Sequence, residues 1–180
     1  DRLFWNLGDG RFQDVTEECG VLAADGKGLS VVAADFFGTG HLDLFVANDS
    51  NPNFLYRNRE GRGFESVGLA AGVALNADGR AQAGMGADSG DADGDGRLDF
   101  AVTTFAFDHN SLYRNLGGGA FEDASQGAGL TASTFERMSW GLAFLDADLD
   151  ADLDLYFANG HLFPQVDEHA ELKESYAQRD

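Results

Sequence analysis

The residues best placed to do chemistry are aspartates that recur at alternate positions in three short segments. The second segment reads Asp91-Ala92-Asp93-Gly94-Asp95-Gly96-Arg97-Leu98-Asp99 and the third Asp146-Ala147-Asp148-Leu149-Asp150-Ala151-Asp152-Leu153-Asp154. The first, Asp35-Phe36-Phe37-Gly38-Thr39-Gly40-His41-Leu42-Asp43, is poorer in carboxylates. A hard divalent cation takes about six to eight oxygen ligands. Carboxylates at positions 1, 3 and 5, a sharp turn at 6 and a backbone carbonyl at 7 (His41, Arg97 or Asp152) wrap such oxygens round one ion. The opening matches an EF-hand, but position 12 holds Val46, Val102 or Phe157 where an EF-hand needs a bidentate Glu. Position 9, occupied by Asp43, Asp99 and Asp154, closes the loop instead. The pattern therefore predicts calcium sites in the second and third loops. The first is degenerate, because Phe37 removes a ligand and Thr39 offers only a hydroxyl. The third keeps every carboxylate but carries Ala151 where glycine is expected, which costs about 1–2 kcal/mol if that residue must be left-handed. Magnesium tends to keep its waters, so many protein oxygens favour calcium, and the loops lack the nitrogen and sulfur ligands of zinc. The alternative is a set of solvated acidic turns at strand ends. Recurrence in register weakens that reading, because clustered carboxylates repel one another without a cation.

Loops of this kind need rigid elements to position them, and the composition provides for a core. Twelve Lys and Arg stand against 31 Asp and Glu in 180 residues, a net charge of −19, which excludes a nucleic-acid partner held by a basic surface. Eleven of those 31 acids fall in the three loops, so much of the charge is placed rather than spread. A hydrophobic fraction of 43% with 15 Phe separates the chain from acidic disordered sequences. Cys19 is the single cysteine, so no intrachain disulfide forms, and it reads as a small half-buried hydrophobe. No apolar run reaches the length of a spanning helix. Abundant glycine (24) with scarce proline (2) favours tight turns.

A repeat organises these features. Leu3-Phe4-Trp5-Asn6, Leu55-Tyr56-Arg57-Asn58 and Leu112-Tyr113-Arg114-Asn115 each lead into a glycine-rich turn and then Phe12, Phe64 or Phe121, with the asparagines 52 and 57 residues apart. The closing aspartates of the acidic loops are 56 and 55 residues apart, so two independent markers share one period. After each loop comes a strand-like run, Leu42 to Ala47, Leu98 to Val102 and Leu153 to Ala158. A small-residue strand such as Leu29 to Ala34 precedes it, and the Leu-Tyr-Arg-Asn and Phe-Glu segments supply a third and fourth strand. Four short antiparallel strands per repeat make a propeller blade, so the expected fold is an all-β β-propeller. The expected parts are the second half of a blade at 1–16, blades at 28–67 and 84–125, the first half of a blade at 139–160, and a connecting tail at 161–180. That is about three blade equivalents, and the expectation is a fragment of a longer ring, or a chain whose open half-blades a neighbouring chain completes.

The same residues resemble a known family. The Leu-Tyr-Arg-Asn, Gly-rich turn and Phe-Glu-Asp rhythm, alternating with Asp-x-Asp-x-Asp-Gly-x-x-Asp, is similar to FG-GAP and VCBS repeats. More narrowly it resembles the bacterial relatives of cartilage acidic protein that often carry an ASPIC/UnbV module. The segments Phe45-Val46-Ala47-Asn48-Asp49, Ala83-Gly84-Met85-Gly86, and Phe157-Ala158-Asn159-Gly160-His161 running to Asp167 look like that subfamily, and Ser175 to Asp180 looks like its link into a further strand. The resemblance implies a seven-bladed-type ring like the integrin α-subunit head, calcium between the first two strands of a blade, and an extracytoplasmic setting, periplasmic, cell-surface or secreted.

Catalysis needs a constellation outside the repeat. The candidates are His109, His161, His169, Asp88, Asp108, Asp167 and Glu168. His161 with Asp167, Glu168 and His169 would make an acid–base or metal cluster if gathered, whereas a histidine at a strand end is more often a structural or solvated group. Asp88 either backs the second loop as a hydrogen-bond acceptor or faces water. No His-Glu-x-x-His, phosphate loop or Gly-x-Ser-x-Gly elbow is present. The expected function is a non-catalytic, calcium-stabilised scaffold for a protein or polysaccharide partner, with two strong metal sites and one degenerate one. The alternative is an accessory propeller of an extracytoplasmic enzyme or membrane-associated complex.

Overall fold

The computed structural model describes residues 1–172 and 175–178, so residues 173, 174, 179 and 180 of the expected tail lie outside the described residues. The chain is all-β and forms part of a β-propeller. Four antiparallel sheets follow one another along the sequence. Strands β1 (Phe4–Asn6) and β2 (Phe12–Asp14) form the first. The second runs in the order β3 (Gly28–Ala34), β4 (Asp43–Asn48), β5 (Phe54–Asn58) and β6 (Phe64–Ser66). The third repeats it with β7 (Gly84–Gly90), β8 (Asp99–Thr104), β9 (Ser111–Gly117) and β10 (Ala120–Asp123). Strands β11 (Ser139–Leu145) and β12 (Asp154–Asn159) form the fourth. Short helices α1 (Gly68–Ala71) and α2 (Leu130–Thr134) lie in the connections between sheets, and two 3-10 turns, Pro164–Glu168 and Ala170–Leu172, lie in the tail.

The core sits between the two complete sheets. Strands β4 and β8 are the most deeply buried because each has sheet neighbours on both edges and other blades over its faces, which is why they carry the densest apolar runs. Phe45 and Phe100, both fully buried, stack between the sheets with ring centroids 4.1 Å apart, and Tyr113, Phe121 and Phe36 complete an aromatic cluster. Each such side chain contributes about 1.5–3 kcal/mol of burial. Cys19 is buried, as its hydrophobe reading requires.

Polar clasps fix one blade on the next. Ser30 Oγ accepts from Ala87 N at 3.1 Å, and Asp88 Oδ2 accepts from Phe144 N at 3.0 Å. Thr103 Oγ1 donates to Trp140 O at 2.6 Å. The approach at that point is so close that a Cβ on Gly86 would lie 1.9 Å from Trp140 O. These clasps hold the inner strands, and so the loops at their ends, in fixed relative positions.

Candidate metal centres

Each acidic loop joins the first strand of a sheet to the second, and all three share one backbone scaffold. Position 1 acts on the turn: Asp35 accepts from Thr39 N and Gly40 N at 2.8 and 2.6 Å, Asp91 from Asp95 N and Gly96 N at 3.0 and 2.8 Å, and Asp146 from Asp150 N and Ala151 N, both at 3.1 Å. Position 9 ties the loop to its base. One oxygen of Asp43, Asp99 and Asp154 accepts from the N–H at position 2, that of Phe36, Ala92 and Ala147, at 3.0, 2.8 and 2.9 Å. In the complete sheets the other oxygen accepts from the third strand, from Asn58 N to Asp43 at 2.7 Å and from Asn115 N to Asp99 at 2.8 Å. Sequence reasoning missed these asparagines as loop partners. The available signal was that the Leu-Tyr-Arg-Asn marker keeps register with the aspartates.

The second and third loops gather carboxylates. Asp91, Asp93 and Asp99 bring oxygens within 4.8 Å of one another, and so do Asp146, Asp148 and Asp154. Oxygens bound at about 2.3–2.6 Å to one calcium ion lie no more than about 5 Å apart, so positions 1, 3 and 9 fit a single hard cation. Position 5 is placed differently from the expectation. Asp95 is paired with the Arg97 guanidinium and accepts from Arg97 N at 2.9 Å, while Asp150 accepts from Asp152 N at 3.0 Å. Arg114 also approaches Asp93, at 3.7 Å.

The first loop gathers no such group. Phe37, standing where Asp93 stands, lies beneath the Arg57 guanidinium at 5.0 Å from the ring centroid, so a cation–π contact takes the place of the carboxylate. Thr39 Oγ1 accepts from His41 N at 3.4 Å within the turn.

Electrostatics separates the positions. Burial raises the Asp99 carboxyl above the usual carboxylate range; N–H bonds from Asn115 and Ala92 oppose this, and the charges of Asp93 and Asp95 add to it. Asp43 is raised by the same burial with only Asp35 as a like-charged neighbour. At Asp35 desolvation acts upward, but the N–H groups of Thr39, Gly40 and Gly38 outweigh it and lower the carboxyl. A cation held in the second loop would offset both burial and repulsion at Asp99.

Backbone conformation distinguishes the third loop. Gly94 and Gly96 have φ of 72° and 85°, and their counterparts Leu149 and Ala151 take 64° and 77°. The expected strain at Ala151 is joined by a second non-glycine in the left-handed region, at a position sequence reasoning left out.

Five of the seven residues considered for catalysis, Asp88, Asp108, His161, Asp167 and His169, take part in local or inter-strand bonds. Asp88 serves Phe144 N of the neighbouring sheet, and Asp108 accepts from Gln82 Nε2 at 3.1 Å and Ala83 N at 3.2 Å. His161 Nδ1 accepts from Phe163 N at 3.1 Å, Asp167 accepts from Tyr176 N at 2.8 Å, and His169 meets Glu171 at 2.9 Å. Among the described residues, His161, Asp167, Glu168 and His169 belong to no metal-type cluster.

The period seen in the sheets also appears in comparison with known families. The FG-GAP-like repeat matches residues 1–46, 35–102 and 91–157, successive matches overlapping on the first and second acidic loops. The chain is a member of the FG-GAP-like repeat family. No curated protein matches it. In this FG-GAP-like chain the first matched unit ends across the first acidic loop, and the second and third each run from one acidic loop through the next, so the loops lie at the joints of the repeat. Among the described residues no helix is long and apolar enough to cross a membrane.

Proposed function

We propose that this FG-GAP-like chain is a non-catalytic propeller scaffold that binds two calcium ions, one in each of the second and third acidic loops. The observation that carries the reading is the pair of three-carboxylate groups, Asp91, Asp93 and Asp99 and then Asp146, Asp148 and Asp154, at the same loop positions in successive sheets. Positions 1, 3 and 9 act as ligands, and the position 7 carbonyls of Arg97 and Asp152 are available to add oxygens. Bound calcium supplies charge neutralisation and crosslinks the first two strands of a blade. The resemblance to bacterial relatives of cartilage acidic protein supports an extracytoplasmic setting. The rigid sheets present loops and inter-blade connections for a protein or polysaccharide partner; Phe107, on the loop between β8 and β9, and Phe135, on the connection from β10 to β11, are both exposed and 6.0 Å apart, which supports that role.

Isothermal titration calorimetry with calcium tests the metal reading. Two sites per chain are expected, one in Asp93→Ala or Asp148→Ala, none in the double variant, and weaker binding of magnesium. Unchanged stoichiometry in the double variant overturns it.

A further inference from the structure

Where the second and third acidic loops gather carboxylates, the surroundings of the first gather cations. Arg57, Arg59 and Arg62 line one open cleft of about 570 Å³ with His41, Thr39 and Asn58, between the first acidic loop and the turn joining β5 to β6. Three of the chain's twelve Lys and Arg thus share one cleft on a molecule of net charge −19. We propose, resting on the polysaccharide arm of the function above, that this cleft receives the carboxylate or sulfate group of an acidic sugar, with Arg57 as its principal donor.

The two complete sheets show why Arg57 is available. Arg57 stands opposite Glu65 across β5 and β6, as Arg114 stands opposite Glu122 across β9 and β10. Arg114 is occupied by its neighbours, since it pairs with Glu122 and approaches Asp93 at 3.7 Å. Among the described residues Arg57 and Arg59 pair with no carboxylate, and Arg62 meets Glu60 alone. Residue 37 makes the difference. The Phe37 ring packs against the core and lies so close to the neighbouring sheet that a Cβ on Gly119 would come within 3.1 Å of it. The Arg57 guanidinium sits over that fixed ring, away from Glu65. A stacked guanidinium keeps its planar fork of N–H donors, which matches the paired oxygens of a carboxylate or sulfate. Phe37 therefore removes a metal ligand and frees a cation by the same substitution.

The rest of the lining selects the ligand. Protein partners draw most of their affinity from apolar anchors seated in pockets, and no apolar side chain lines this cleft. Its hydroxyl, amide, imidazole and guanidinium groups suit a ligand rich in hydroxyls. Glu60 and Glu65 at the same cleft, and the net charge of −19, oppose a long polyanion. The ligand is accordingly one charged sugar unit or a short run of them, held by its oxyanion.

Isothermal titration calorimetry with digalacturonate, its neutral methyl ester and galactose 6-sulfate tests this, in excess calcium and again in chelator. At least one of the two anionic probes should bind about tenfold or more tightly than the ester, and which one does so separates carboxylate from sulfate. Arg57→Gln should weaken that binding about tenfold or more, since a hydrogen bond from a charged donor is lost. Phe37→Leu keeps apolar bulk against the core but removes the ring face, so Arg57 turns to Glu65 and binding falls about two- to fivefold. Adding Glu65→Gln to Phe37→Leu should restore it, an effect that a merely structural role of Phe37 would not produce. Affinity should be the same in calcium and in chelator, because the first loop gathers no carboxylates, so loss of this site and loss of the metal sites are read separately. Equal binding of acid and ester sinks the oxyanion site while leaving a neutral polysaccharide partner in place. Indifference to Arg57→Gln or to Phe37→Leu, no rescue by Glu65→Gln, or tighter binding of tetraglutamate than of either sugar also overturns the proposal.

Discussion

Substituting Asp43→Asn and Asp99→Asn removes the same carboxylate from two loops of nearly identical scaffold, one with three gathered carboxylates and one without. Each aspartate accepts backbone N–H bonds on both oxygens, and an amide replaces one acceptor with a donor facing an N–H. An orphaned buried donor costs about 1–3 kcal/mol. Relief of the buried charge offsets part of this, more at Asp99, where Asp93 and Asp95 also repel the carboxylate, than at Asp43. In chelator, Asp43→Asn should therefore be the more damaging change, by a few tenths of a kcal/mol to about 1 kcal/mol. In calcium the order should invert. One site at about 100-fold over Kd adds roughly 2.7 kcal/mol, or about 5–10 °C in Tm for a chain of this size. Asp99→Asn forfeits that increment while the third loop keeps its own, and Asp43→Asn forfeits none. Thermal and urea unfolding followed by circular dichroism, in chelator and in excess calcium, reads both comparisons. The same rank order in both conditions, or loss of the calcium increment in Asp43→Asn, refutes the division of roles between position 9 as a loop anchor and position 9 as a ligand.

Three further outcomes follow from the geometry. Leu149→Gly and Ala151→Gly should each stabilise the protein by about 0.5–1 kcal/mol, because left-handed strain of about 1–2 kcal/mol is relieved against the greater unfolded-state freedom of glycine; urea unfolding measures it, and destabilisation by either change contradicts the strain assignment. Gly86→Ala should cost about 3 kcal/mol or more, since its Cβ would meet Trp140 O at 1.9 Å and Thr103 Oγ1 at 2.9 Å; a melting temperature equal to wild type counts against the close blade contact. Burial raises the phenols of Tyr56 and Tyr113, so the stability they contribute is complete below the free phenol value near 10 and is lost as pH rises beyond it. Alkaline titration at 295 nm should show phenol ionisation coinciding with loss of the circular dichroism signal, and full ionisation before any unfolding would disprove it.

The strands were legible where local composition decides. The apolar runs after the acidic loops read as strands from their β-branched and aromatic content, and β4, β8 and β12 begin at Asp43, Asp99 and Asp154, with β4 and β8 buried along nearly their whole length. The three carboxylates at positions 1, 3 and 9 were legible for the same local reason. What stayed hidden depends on partners remote in sequence or on competition within the loop. Asp88, half-buried, backs not the acidic loop but the neighbouring sheet, because β11, over fifty residues away, brings Phe144 N to it. Asp95 turns to Arg97, a cation two residues along that competes for the carboxylate. Leu149 was overlooked because a leucine gives no local sign of a left-handed backbone, and its conformation appears only by analogy with Gly94.

Taken as a series, the three loops separate what the turn needs from what a metal would add. The first has the third-strand asparagine and a buried closing aspartate but lacks the middle ligand, and its scaffold bonds are as short as those of the second. The aspartates at positions 1 and 9 are therefore required by the turn itself, with or without an ion. The third loop has the three gathered carboxylates and, among the described residues, no third strand beside it, and it holds the same turn with two left-handed non-glycine residues and an exposed Asp154. Loop geometry thus survives loss of either the middle carboxylate or the covering strand. A cation joining positions 1, 3 and 9 would stabilise a turn that the backbone bonds already define, and position 3, held by Phe37, Asp93 and Asp148 in the three loops, is where the gathered carboxylates are gained or lost.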